Sequence, residues 1–432
     1  DNKGLHIFSG GSVTTLNGGI SGTSTGGSGT TGCHGVLVTG ASSRISSSGG
    51  SINLTGIGNG TGSDNNGIEV TSTAAITSTV SAPITLNGTG SLSGAGSSPG
   101  ISVGGGGGSQ VTSNTGNIIL NGTGGSGGTA NNGLEVSGLG VISSTSGIIS
   151  GLCNGGNGIS DNNGILVTGA GSRITMANGG CNLTGVGGGT ATENNGVLVT
   201  SSGLIEATAG AAIQLSGTGS LTGTTSNDGI EVNGAGALIR TISGNIPLAA
   251  TGGGTTSDNR AIHVLGGGGI TTTSGAITAT ATGGTGSTGC IGILVTGASS
   301  IISSDTGSIN LTSTGGGSTT GNSGIEVFSG GRIFSATSAP ITLTGTGLPS
   351  GTAMNEGIHI EGANSQVSSN SGAITLTGTA GGGTLEGIII ADQGLSSTSG
   401  DIIVTTLSDL FITNSGSISS LGTGTSTFNI TT

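Results

Sequence analysis

Apolar and polar residues alternate in short runs along the chain, and the runs return at a fixed interval. Residues 35–66, GVLVTGASSRISSSGGSINLTGIGNGTGSDNN, show one full unit. Val36 and Val38 face one way with Leu37 opposite, a second short run carries Ile45, and a third puts Ile52 and Leu54 on one side with Asn53 on the other. Period-2 alternation predicts strands, and recurrence at 20–50 residues predicts a solenoid. A loop of Gly, Thr and Asn closes the unit, and the pattern restarts as GIEV at Gly67.

The opening motif occurs thirteen times, from GLHI at Gly4 through GVLV at Gly35 and AIHV at Ala261 to GIII at Gly387. Gly4 to Gly387 spans 383 residues in twelve steps, about 32 per step. Three short strands cannot bury an apolar face alone, so the units must stack. A left-handed hexapeptide helix would need a period near about 18, and parallel crossovers are overwhelmingly right-handed. The expectation is therefore an all-β fold: a right-handed parallel β-helix (β-solenoid) of about 13 rungs, three strands each, roughly 60 Å long at the usual strand spacing.

A longer period lies on top. GVLVTGASSRISSSGGSINLTG from Gly35 returns as GILVTGAGSRITMANGGCNLTG from Gly164 and GILVTGASSIISSDTGSINLTS from Gly292, offsets of 129 and 128 residues. Four rungs behave as a duplicated block. This predicts one continuous solenoid over residues 1–432, with super-repeats at approximately 4–132, 133–260 and 261–386 and irregular C-terminal rungs over 387–432. The chain opens without Met and already inside a repeat, and both ends stay strand-like. The expectation is a processed or excised segment of a secreted chain whose uncapped ends meet further repeats or another copy.

Composition narrows function. Gly contributes 100 of 432 residues, a content that without phased apolar residues would read as disorder. Six basic residues against eighteen acidic ones give a net charge of −12, which disfavours nucleic acid and anionic membrane surfaces. No run approaches the ~18–20 apolar residues of a membrane-spanning helix. Trp and Tyr are absent, removing the usual platforms for sugar or base stacking. No segment joins paired carboxylates to a base, so catalysis is not expected, and no cofactor or metal is expected either.

The candidate chemistry is sparse. Cys33 and Cys290 share a phase eight rungs apart, too far to pair. Cys153 and Cys181 sit in consecutive rungs at nearly the same phase, with a disulfide across one rung step and buried free thiols as equal alternatives. The outward middle position of the opening strand carries His6, Leu37, Glu69, Glu135, Leu166, Leu198, Glu231, His263, Leu294, Glu326 and His359, a stripe that could form a lateral interface between rods. Asp64, Asp161, Glu193, Asp228, Asp258, Glu356 and Glu386 recur just before that strand and read as turn residues rather than a calcium roll. Asn53, Asn182 and Asn310 head N-L-T sequons at equivalent rungs, a glycosylation expectation.

With GI-x-V, I-x-S and G-x-I-x-L-x-G repeated end to end, the chain resembles the β-helical shafts of large bacterial surface exoproteins, of the filamentous-haemagglutinin-like adhesin and autotransporter-passenger type. The resemblance implies a non-enzymatic structural or adhesive protein, extracellular or at the cell surface. Two readings follow. The chain is a subunit or shaft of a surface filament assembled end to end from its own copies, or a shaft segment of a large adhesin that contacts a ligand on a host or neighbouring cell. A polysaccharide-active β-helix enzyme is the distant third.

Overall fold

The computed structural model describes residues 2–383 and 386–431. The chain coils into three parallel sheets of fourteen strands each, and every coil contributes one strand to each sheet. The first sheet runs from Leu5–Ile7 to Asp409–Thr413, the second from Ser12–Thr15 to Ser417–Ser420, and the third from Ile20–Thr25 to Ser426–Ile430. Each strand pairs with its counterpart one coil away, so residue Leu5 faces Val36 and Val36 faces Ile68. The three sheets continue without interruption through all three super-repeats. Among the described residues no helix is long and apolar enough to cross a membrane.

The alternation read from the sequence decides which side chains enter the core. Val36, Val38, Ile45, Ile52 and Leu54 are all buried, and their equivalents stack into one continuous apolar column along the rod. β-Branched Ile and Val dominate because each sits on a pleated surface against the equivalent residues, mostly aliphatic, of the coils above and below. No single coil has a core of its own; burial is completed only by the next coil.

The stack holds one coil more than the thirteen opening motifs predict. The fourteenth is Asp409–Thr413, Ser417–Ser420 and Ser426–Ile430. Leu410 pairs with Ile388, only 22 residues on, because two residues link Thr406 to Asp409 where ten separate Ile57 from Ile68. The missing loop removes the opening motif but leaves the three-sheet cross-section intact.

The super-repeat is visible in the packing. At the corner before the third strand a side chain at Gly147 would land on the carbonyl oxygen of Gly116, and one at Gly275 on that of Gly244. Backbone passes directly over backbone there. Alanine takes this corner position at Ala82, Ala211 and Ala339, in one coil of every four, and is buried each time.

Two polar ladders run up the rod beside the opening strand. In the first, a buried Asn accepts through Oδ1 from the backbone N–H one coil below: Asn131 N–H to Asn162 (3.1 Å), Asn162 to Asn194 (3.0 Å), Asn194 to Asn227 (3.2 Å) and Asn227 to Asn259 (2.9 Å). Side-chain amides join the same acceptors, Asn162 Nδ2 donating to Asn194 Oδ1 at 2.9 Å. The next residue forms a second ladder of opposite sense, in which Asn132 Oδ1 accepts from Asn163 N–H (3.0 Å) and Asn163 Oδ1 from Asn195 N–H (2.9 Å). Loop amides that the sheets cannot reach are thus satisfied inside the protein. Removing Asn194 orphans the Asn162 N–H and the Asn162 side-chain amide, which both donate to its Oδ1. Asn194→Ala is expected to cost about 3 kcal/mol in denaturant unfolding. Asn182→Ala, at an exposed position of the third sheet, should stay within about 0.5 kcal/mol of the parent.

Candidate functional site

The outward column of the first sheet gathers carboxylates and histidines. Its register is continuous, His6 to Leu37 to Glu69 and onward through Glu231, His263 and Leu294 to Glu326 and His359. The column predicted from sequence therefore exists, but it is not an open flat surface. Leu37, His263 and Leu294 are buried, because the loop entering each strand rises beside the sheet and makes the column the floor of a groove. An interface between rods along this stripe would have to enter that groove.

The entering loop explains the acidic residues. Asp64, Asp161, Glu193 and Asp258 each have φ close to +60°, as do Ala130 and Ser226 at the same position, so the site is a left-handed turn that Asp tolerates well. Asp228 and Glu356 belong to a different column, two residues on in the loop and buried within the second ladder. Three residues separate that column from the outward position, as in Asn66 to Glu69, Asp228 to Glu231 and Glu356 to His359. A carboxylate in one column is thereby brought beside a histidine in the other.

Three such clusters form: His34, Asp64 and Glu69; Asp228, Glu231 and His263; Glu326, Glu356 and His359. In each, the ligand atoms lie within 4.8 Å of one another, a spacing that a single metal ion could span. In the middle cluster His263 Nδ1 lies 2.9 Å from Asp228 Oδ2, and both Glu231 oxygens accept side-chain amides, from Asn195 and Asn233, at 2.9 Å. In the third, His359 Nε2 lies 2.7 Å from Glu361 and Glu356 Oε2 accepts from the Ser323 hydroxyl at 2.9 Å. In the first, His34 Nδ1 stands 3.3 Å from Glu69 Oε2 and accepts from the Asn66 N–H at 3.3 Å.

Burial sets the protonation of these groups. Desolvation pushes His34 down to about 4, with the positive charge of Lys3 adding to the effect. Desolvation pushes the Glu69 and Glu231 carboxyls up to about 7, helped at Glu69 by Asp64 and at Glu231 by Asp228. Glu326 is raised for the same first reason. Acids that hold their protons near neutrality beside a neutral histidine are suited to sharing a proton, whereas binding a cation would require the carboxyls to release theirs.

Of the two alternatives for Cys153 and Cys181, the structure has the buried free thiols. Cys153 and Cys181 are free and buried, and Cys181 pairs with Ile149 while Cys153 pairs with Gly185. Four strand positions, about 13 Å, separate them along the sheet, well beyond the roughly 7 Å Cα limit. Burial drives both thiols up to about 12, so neither is a nucleophile. Cys33 and Cys290 occupy the first asparagine ladder, where their N–H groups donate to Asn65 and Asn322 at 2.9 Å. Asn53, Asn182 and Asn310 project from the third sheet and are exposed, as glycosylation would require.

Sequence reading missed His34, Asn66 and the pairing of Arg240 with Glu206 at 2.6 Å on the second sheet. All involve partners one coil apart. The recoverable signal was the three-residue offset combined with the coil length, since each cluster joins two residues close in sequence to a third one coil away.

Glu231 yields a pH prediction. Its native carboxyl titrates near 7 against an ordinary value of 4.5, so between those values the folded chain binds the extra proton. Its contribution is fully present below about pH 4.5 and is lost as pH rises through 7. Asp228 and Glu193 strengthen this shift, His263 opposes it, and Arg260 lines the same groove. Glu231→Gln should therefore gain thermal stability relative to the parent between pH 5 and pH 8. Parallel stability curves for the two proteins would contradict this assignment.

Comparison with protein-family models, with curated proteins and with solved structures finds no match to this chain.

Proposed function

We propose that the chain is a non-enzymatic structural rod of an extracellular surface filament, extended by coil-on-coil stacking. One observation carries the reading: fourteen coils share a single cross-section, so each coil presents the same three-strand edge to its neighbour. The last coil half-exposes Phe411, Ile412, Phe428 and Ile430, and the first exposes Phe8 and Leu16. Open strand edges with apolar side chains are templates for further strands. The next coil in either direction is supplied by a second copy in this reading.

The resemblance to filamentous-haemagglutinin-like and autotransporter-passenger shafts supports the same class of role. It also supplies the second reading, a shaft segment of a large adhesin, which the four-coil block duplication favours because duplication lengthens a rod without requiring a unique site. The enzyme alternative would rest on Glu206, Arg240 and Asp305, which line one cleft of the second sheet. There Arg240 is already engaged by Glu206 through two hydrogen bonds to one oxygen, at 3.0 and 2.6 Å.

Electron microscopy of the purified chain over a range of concentrations tests the proposal. Continuous fibres with an axial repeat of about 67 Å, fourteen coils at about 4.8 Å each, are expected. Isolated rods of about that length at every concentration would favour the adhesin shaft. Depolymerisation of polysaccharide that is lost in Glu206→Gln would overturn both.

A further inference from the structure

In the third sheet each six-residue strand turns three side chains outward, and in the last super-repeat nearly all of these are threonine. Ile277–Thr282 reads ITATAT, Ile309–Thr314 reads INLTST, and both Ile341–Thr346 and Ile374–Thr379 read ITLTGT. The pairing stacks them into straight columns. Thr282, Thr314, Thr346 and Thr379 form one, and Thr280, Thr312, Thr344 and Thr377 the next. The third is Thr278, Asn310, Thr342 and Thr375, with Asn310 the one exception. Together the columns make a two-dimensional lattice, about 4.8 Å from coil to coil and about 6.6 Å between alternate residues of a strand. The enrichment belongs to this face alone. In the same four coils the outward positions of the other two sheets carry only Thr271 and Thr296.

Two independent observations say what this lattice can meet. Its threonine hydroxyls have no hydrogen-bond partner among the described residues, whereas Thr255, Thr285 and Thr319 in the loops leaving the sheet donate to carbonyls one coil away. And no strand of the third sheet, in any of the fourteen coils, contains a charged residue, so no strongly hydrated ion interrupts the face. A protein partner fits poorly: the array covers about 20 Å by 15 Å, roughly 300 Å2 against the ~800 Å2 per partner of a stable interface. No aromatic ring lies on it to stack a sugar.

We infer that the outward face of the third sheet over residues 277–379 binds the surface of ice. Threonine is β-branched with restricted χ1, so each residue holds a methyl and a hydroxyl in a preset direction. The hydroxyls anchor water and the methyls between them order it, and the bound layer takes the repeat of the protein. Oxygens in a layer of ice repeat at slightly less than the coil spacing along one axis and at somewhat more than the two-residue spacing along the other. Bound water on this face can therefore merge with an ice crystal. The middle super-repeat lacks the lattice, because Leu152, Val186, Pro247 and Ala249 stand at its outward positions.

Slow growth of an ice shell in a dilute solution of the full chain, followed by assay of the fraction incorporated, tests the inference. The chain is expected to concentrate in the ice while serum albumin is excluded. Thr344→Tyr and Thr312→Lys, at the centre of the lattice, should each lower incorporation at least tenfold. Thr184→Tyr, at the equivalent position of the middle super-repeat, should leave it unchanged, and unaltered melting temperatures separate loss of the face from loss of the fold. Exclusion of the parent from ice, undiminished incorporation of both lattice variants, or equal loss in Thr184→Tyr would overturn the inference. Adsorption to crystalline cellulose but not to ice would do the same. None of these outcomes bears on fibre formation, so the two proposals fail separately.

Discussion

Every feature of this rod depends on coils lying in strict register, and the buried asparagine ladder is the interaction that enforces it. A parallel stack of repetitive strands has weak intrinsic register, because a two-residue slip replaces one apolar residue with another. The ladder removes that freedom. Each Asn Oδ1 must meet a particular backbone N–H of the neighbouring coil, and a slip would leave both buried without partners. The second ladder, running in the opposite sense, fixes the adjacent residue as well. Where both ladders run, the loop is locked at two successive positions and the opening strand starts at a fixed height.

That fixed height produces the outer groove and its chemistry. Because positions three residues apart in the loop and strand face one another across coils, any carboxylate or histidine placed there acquires a buried neighbour. The block duplication copies the frame without copying the content. The position of His34 is taken by Asn163 and Ile291 in the later blocks, and that of Asp64 by Glu193 and Gly321. A duplicated frame can in this way carry different side chains in each block.

Architecture was legible in the sequence because it follows from local alternation and a constant period. Val36, Val38, Ile45, Ile52 and Leu54 announced their burial by spacing alone. The fourteenth coil was legible only as part of an irregular C-terminal stretch over 387–432, since the loss of a loop before Asp409 removed the motif by which coils are counted. The ladder residues were hidden for a different reason. Asn65, Asn162 and Asn194 look like ordinary turn residues, and only the three-dimensional return of the chain shows that they bond to the coil beneath. The same holds for His34 and Glu69, and for Cys153 and Cys181, whose similar phase in sequence concealed a four-residue offset in the sheet.

If the ladders bind coil to coil, stability is a property of the stack and should be greatest where neighbours are present on both sides. Native-state hydrogen exchange read by mass spectrometry measures this directly. The account predicts slowest exchange for loop and strand amides of residues 131–259, where the asparagine ladder is unbroken, with protection declining progressively toward both terminal coils. A sharp boundary of protection at a super-repeat junction, or uniform exchange in which the ladder amides are no slower than those of exposed turns, would contradict it.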